Sequence, residues 1–450
     1  MLKNWNTFQN GFENFLLLFI ILQPILDLVT SLSIIVFQAS ATVGIFVRLI
    51  VMGFGMLYII LQARQKDNRK YIYYLGLLAL VFLIGLIINK MVKHPILMGE
   101  EIKYVAKTMY TFVMLGCYIL VFKSFLQKGK QIGKAITYVV YATLLINAVM
   151  VISIATSTDF NSYEYFKTGS RGWFYAGNEL GAILAISFPI VLLFATEKTK
   201  RMKDILFWIP AMLSIFSLFA VGTKVGYGAI LLGLGTVVVV CLLQGIFHKE
   251  SRSILLLNGV IGAVLLAGVA LYTPYSPITN NTKVHMKLIE EQQNQAKENV
   301  APGDLPKDQV GDIIFSGRET FLNMEKTQFK NAPLSQKLFG MGYGGNYKSE
   351  PKLIEQDFFD LFYSYGYIGF LFIIIPFAYY GVKMVRTFIK KWRELSNIQY
   401  ALLVIGMALG LGIAFTAGHV LMAPGVSIYL VVIWAYLLVK AGVESEQAIS

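Results

Sequence analysis

The stretch "SEPKLIEQDFFDLFYSYGYIGFLFIII" (349–375) sets two acids and a glutamine, Glu355, Gln356 and Asp357, at the mouth of an apolar run long enough to cross a bilayer. Carboxylates are costly inside lipid. Acids at this edge therefore mark a membrane boundary and point to polar work done there. The rest of the chain agrees. Of 450 residues, 56% are hydrophobic and 14% charged, where a soluble domain carries about 25% charged residues. Mean hydropathy is +0.61. The chain reads as an all-α polytopic membrane protein, because helices satisfy their own backbone in lipid.

A span needs about 20 mostly apolar residues. The sequence predicts about twelve transmembrane helices, at 12–37, 44–62, 72–93, 103–122, 135–155, 179–196, 204–222, 225–247, 253–272, 358–382, 398–417 and 422–440. The first run is too long for a secretory h-region and lacks a small-residue cleavage site, so no cleavable signal peptide is expected. Lys and Arg gather in the alternate loops 63–71, 123–134, 197–203, 248–252 and 383–393. That positive-inside pattern predicts a multi-pass membrane protein with both termini cytoplasmic. It also accounts for much of the net charge of +13 and sets aside a nucleic-acid partner.

Three regions follow: transmembrane helices 1–9 over 1–272, an extracytoplasmic loop domain over 273–357, and helices 10–12 with a cytoplasmic tail over 358–450. The large outward loop is polar over 290–312 and amphipathic, hence helical, over 318–330. No internal repeat is evident, and an inverted repeat is the usual sign of a secondary transporter. Cys117 and Cys241 lie in apolar runs and read as packed thiols. His94, His248, His285 and His419 are scattered, so neither a metal site nor a cofactor is expected. Asp27, beside the kink-prone Pro24, and Arg48 sit in the outer halves of the first two spans, where the expected role is an ion pair fixing two helices.

Further polar groups collect on the outward side. "GSRGWFYAGNELGAILA" (169–185) offers Arg171, Trp173, Tyr175 and Asn178. Rings stack on sugar faces and guanidinium grips phosphate as a fork; the plainer reading is an interfacial aromatic belt. In "FSGRETFLNM" (315–324), Ser316 and Arg318 open a helix, a favourable place for an anion. Lys224 stands in the turn between spans seven and eight and His419 at the outer end of span eleven; the plainer readings are a snorkelling lysine and a satisfied buried histidine. Taken together, the set suits transfer of a sugar from a lipid diphosphate. That reaction needs cations on the leaving diphosphate and a base for the acceptor hydroxyl, and arginine can stand in for a metal.

"LQPILDL" (22–28), "RGWFYAGNELGAILA" (171–185), "GTKVGYGA" (222–229), "FSGR" (315–318), "FGMGYGG" (339–345) and "EQDFFDLFYSYGYIG" (355–369), in this order over twelve spans, resemble the O-antigen ligase and polymerase superfamily. The resemblance covers nearly the whole chain. It implies a GT-C-like membrane glycosyltransferase that uses undecaprenyl diphosphate-linked glycans on the outer face of the inner membrane. The family's ligases carry an outward histidine, a polar residue, nine positions and GxxG; here the frame gives Glu355, Gln356, Gly366 and Gly369. The carboxylate in place of histidine favours a polymerase, or a ligase to a cell-wall acceptor other than lipid A.

By this resemblance Arg171 and Arg318 clamp the diphosphate, Lys224 assists, and Glu355, or second Asp357, activates or orients the acceptor hydroxyl. Trp173, Tyr175, Asn178, Ser316, Gln356 and His419 are the expected substrate contacts. The implied partners are the lipid-linked donor, a glycan or cell-envelope acceptor, membrane lipid, and other proteins of the same polysaccharide pathway. The rival reading is a flippase for lipid-linked saccharide or polysaccharide, which requires charges along a path through the bundle.

Overall fold

The computed structural model describes residues 2–38, 43–163, 167–247, 251–284, 286–287, 318–348 and 350–444. Ser316, His248, His285 and the 290–312 stretch lie outside them. Among the described residues the named elements are all helices. A single isolated antiparallel bridge joins Asn161 and Ser170. The first nine helices are α1 (Leu2–Ile35), α2 (Val43–Gln62), α3 (Arg69–Val92), α4 (Met98–Gln127), α5 (Lys134–Ala155), α6 (Gly177–Lys198), α7 (Ile209–Val221), α8 (Lys224–Phe247) and α9 (Arg252–Tyr272). Two short helices of the large loop follow, α10 (Arg318–Asn331) and α11 (Leu334–Phe339). The chain then re-enters the bundle as α12 (Asp357–Lys390), turns through α13 (Trp392–Leu395), and ends with α14 (Ile398–Thr416) and α15 (Pro424–Lys440).

Eleven of these helical segments are long and apolar enough to cross a membrane. The twelfth expected span is α15, a shorter apolar helix of 17 residues. Pro424 sits at its first turn, and every residue from 425 to 439 is buried, packed on α4 and α6. It therefore meets protein rather than lipid. The hydrophobic windows of α4 and α6 are 89% buried, against 22–56% for the other spans. These three helices are the inner pillars, and the others face lipid on one side.

Two ends of the bundle differ in chemistry. At one, Lys70 and Lys383 pair with Glu444 at 2.8 and 3.3 Å, and Lys128 pairs with Glu13 at 2.7 Å. Three of the basic loops thus meet beside the start of α1 and the residues after α15. Asp27 and Arg48 form the expected ion pair at 2.6 Å, and the Arg48 Nε–H also donates to Gln23 at 2.9 Å. Cys117 and Cys241 are buried free thiols.

The helix α12 is broken at Gly366, whose backbone lies at φ 65°, ψ −170°. The break leaves helical carbonyls without their usual donors. The "FGMGYGG" loop supplies replacements: the N–H groups of Met341 and Gly342 donate to the carbonyls of Tyr363 and Ser364 at 2.9 and 3.1 Å. The approach is close enough that a Cβ on Gly340 would stand 2.0 Å from the Ser364 carbonyl oxygen. A buried pair, Lys93 and Glu101 at 2.7 Å, holds the same loop; Lys93 donates to the Tyr343 carbonyl and Glu101 accepts the Tyr343 N–H. The two glycine motifs of the sequence therefore form one crossing, and that crossing fixes the loop beside α12.

Candidate active site

Glu355 stands in the last residues before α12, at φ 65°, a conformation uncommon outside glycine. Its neighbours are tied down by acids of the first turn of α12. Asp360 accepts the N–H groups of Ile354 and Gln356 at 2.8 and 3.1 Å. Asp357 is 0% exposed and accepts the N–H groups of His419, Val420 and Leu421 at 2.9, 2.9 and 2.7 Å. Asp357 thus spends its acceptor capacity on the loop that carries His419, which is itself at φ 61°. Asp357, Asp360 and Glu355 line one cavity, but the Asp357 carboxylate is taken up by backbone N–H groups, which gives it a positioning place. Gln356 is buried and caps α12.

The Glu355 carboxylate lies 3.4 Å from the Arg318 guanidinium and 3.8 Å from His419 Nε2, an ionic rather than a hydrogen-bonding distance for the latter. The His419 ring foremost, with Arg318 and Lys352, holds the Glu355 carboxyl below its usual range against the opposing pull of burial. Burial works to lower the His419 imidazole, but Glu355, Glu179 and Asp357 outweigh it and raise it.

Arg318 opens α10 and faces a cavity of about 480 Å³ that is also lined by Lys224, Lys167, Asn178 and Gly418. Lys224 is the first residue of α8, where the helix dipole adds partial positive charge. Burial, then the Arg318 charge, lowers the Lys167 ammonium. Asn281 anchors this wall: it accepts the Thr168 N–H at 2.7 Å and donates to the carbonyls of Thr168 and Gly222. Three cations therefore converge on one space, an arrangement suited to a polyanion.

On the other side of Glu355 lies a second cavity, about 250 Å³, lined by Glu355, His419, Lys103, Lys107, Glu179, Tyr104 and Tyr343. A third, about 180 Å³, adjoins it, where Lys107 and Glu179 recur beside Asp27, Arg48 and Tyr175. The Arg318–Glu355 contact stands where the first two cavities meet, and Gly418 and His419 likewise line one each.

Arg171 is placed differently from the sequence expectation. Its guanidinium hydrogen-bonds the Tyr175 carbonyl and lies over the rings of Phe160 and Tyr175. It lines none of the three cavities. Trp173 donates its indole N–H to Thr158 at 2.9 Å. The structure thus brings Glu355, His419, Arg318, Lys224 and Asn178 around one junction, with Tyr175 in the third cavity and Arg171 and Trp173 in the adjoining loop. Sequence reasoning missed Lys167, Lys107, Glu179 and Asp360. Among the described residues no group of three or more His, Cys, Asp or Glu side chains is arranged to hold a metal ion.

The chain is a multi-pass helical membrane protein that carries a cationic cavity and a mixed-charge cavity at one end, with the Arg318–Glu355 contact between them. The chain belongs to the family of O-antigen ligase like membrane proteins, whose model matches residues 9–444. Membership gives it a ligase or polymerase role in surface-polysaccharide synthesis, with lipid-linked glycan as substrate class. No match is found among curated proteins.

Proposed function

We propose that the protein is a metal-independent glycosyltransferase that polymerises or ligates undecaprenyl diphosphate-linked glycans on the outer face of the cytoplasmic membrane, with both termini cytoplasmic. The observation that carries this reading is the Arg318–Glu355 contact at the junction of the two cavities. The diphosphate of the donor occupies the cationic cavity, where Arg318, Lys224 and Lys167 stabilise the charge that builds on the leaving group. The acceptor hydroxyl enters from the mixed-charge cavity and donates its hydrogen to Glu355. Its oxygen attacks the anomeric carbon, the bond from that carbon to the diphosphate oxygen breaks, and Glu355 receives the proton.

Donor binding itself tunes the base. In the empty site Arg318 helps hold the Glu355 carboxyl low. Once Arg318 turns to the diphosphate, Glu355 loses part of that stabilisation and becomes more basic. His419 steadies the carboxylate, and Arg171 supports the loop rather than the phosphate. The orientation rests on the basic loops, which gather at the end opposite Glu355.

The flippase reading requires charges running on towards that basic end. Arg48, Lys107 and Glu179 all lie within about 14 Å of the outer ends of their helices, at 1.5 Å per residue. The deciding experiment sizes surface polysaccharide from a deletion strain complemented with wild type, Arg318→Ala or Glu355→Ala. Loss of long chains with single units on the carrier lipid means a polymerase; full-length chains left on the carrier mean a ligase. A normal ladder from both variants overturns the assignment.

A further inference from the structure

Lys107 and Glu179 line both the second and the third cavity and so stand at their common neck. Lys107 lies in the third turn of the inner pillar α4, and Glu179 in the first turn of the inner pillar α6. Neither side chain makes a hydrogen bond or an ion pair within 4 Å among the described residues. The contrast with nearby charges is sharp. Lys93 is matched to Glu101, and Arg48 to Asp27 and Gln23. Opposite charges inside a membrane bundle gain most in direct contact, so two that face each other without touching across an open neck leave room for something that fits between them. On the second-cavity side of the neck stand Tyr104 and Tyr343, their ring centroids 5.5 Å apart and their planes tilted by 52°, and the buried Tyr104 hydroxyl has no partner among the described residues.

We propose that this neck binds a sugar ring of the acceptor, with one hydroxyl donating to Glu179 and a neighbouring hydroxyl accepting from Lys107. A hydroxyl both donates and accepts, so a vicinal pair satisfies a carboxylate and an ammonium at once. The partly buried Tyr343 ring, in the second cavity, covers the apolar side of the sugar. The hydroxyl to be glycosylated then lies towards Glu355, which shares the second cavity. The subsite rests on the glycosyltransferase reading above. It assigns acceptor selection to residues that touch neither the diphosphate cavity nor its cations.

The test uses the full-length protein in nanodiscs, with lipid-linked glycan extracted from the deletion strain. Lys107→Met, Glu179→Gln and the double variant are compared for product, for undecaprenyl diphosphate binding by native mass spectrometry, and for melting temperature. The expected result is product formation at least tenfold lower, through a raised KM for acceptor, with undecaprenyl diphosphate binding within twofold of wild type. The double variant, which removes two opposite charges that do not touch, melts no lower than wild type. Undiminished product, a kcat effect without a KM effect, weakened undecaprenyl diphosphate binding, or a lower melting temperature in the double variant each overturns the subsite. Arg318→Ala in the same assay isolates the underlying reading: normal product and normal diphosphate binding there overturn the glycosyltransferase assignment itself.

Discussion

Arg318 and Glu355 touch at 3.4 Å yet face different cavities, the arginine a space lined with cations and the glutamate one of mixed charge. The contact is part-buried, with the arginine 14% and the glutamate 38% exposed. Removing either partner should therefore cost catalysis far more than stability. Arg318→Ala or Glu355→Gln is expected to lower polymer yield by at least about a hundredfold, while the protein still elutes as a folded species in detergent. An elution profile collapsing with activity would assign the pair to folding instead.

Glu325, on α10, is 3% exposed, and burial together with Asp360 pushes its carboxyl up to about 7. The folded value is raised above the ordinary 4.5. The favourable contribution of the protonated form is thus full below about pH 4.5 and is lost as the pH rises through about 7. The loss amounts to roughly 3 kcal/mol, at 1.36 kcal/mol per unit. Glu325→Gln should leave the melting temperature near wild type in acid and raise it above neutral pH. Parallel melting curves for the two proteins across that range would refute the assignment.

The Glu355–His419 pair predicts the opposite pH signature. The Glu355 value is depressed, so its contribution is present above the ordinary 4.5 and lost as pH falls through the lower folded value. The His419 value is raised, so its contribution is full below the ordinary 6.5 and lost as pH rises through the folded value. The two overlap between about pH 4.5 and 6.5. With side chains 31% and 38% exposed the gain is small. Wild type minus His419→Gln melting temperatures should peak in that window and shrink towards alkaline pH.

Arg48 is buried beside Asp27, and its loss leaves a carboxylate unmatched inside the bundle. Arg48→Met should destabilise by about 3–5 kcal/mol. Adding Asp27→Asn should recover much of that. A double variant as unstable as the single one would show that Arg48 acts through packing.

Gly340 and Gly366 both sit at positive φ and pack backbone against backbone. Gly340→Ala or Gly366→Ala should destabilise by at least about 2 kcal/mol, because neither strain nor clash has a flexible side chain to absorb it. Limited proteolysis should then cut the 340–346 loop in the variants and spare it in the wild type.

The spans and the Asp27–Arg48 pair were legible because lipid imposes long apolar runs and penalises stray charge. The same rule applies to Lys107 and Asp360, but both sit within two turns of the start of a predicted span, next to other charged residues, where charge is common. Lys167 gave no signal, for it lies in an irregular loop and gains meaning only when Asn281 ties that loop to the α7–α8 turn. Arg171 was over-read for the converse reason. An arginine among aromatics shows what it can bind, not which cavity it faces. Asp357 and Glu355 are two residues apart in the chain, and only the fold separates the buried acid that grips backbone from the part-exposed acid that meets Arg318.

The break at Gly366 divides α12 into parts with different allegiances. The turns before it carry Asp357 and Asp360, which fix the loops bearing His419 and Glu355; the turns after it meet the lipid. A helix that must tilt to match a thicker or thinner bilayer would drag a continuous first turn with it. Here the helix is broken between the two, so the geometry around Glu355 is set by the loops at its own end of the bundle and not by the axis of the membrane half.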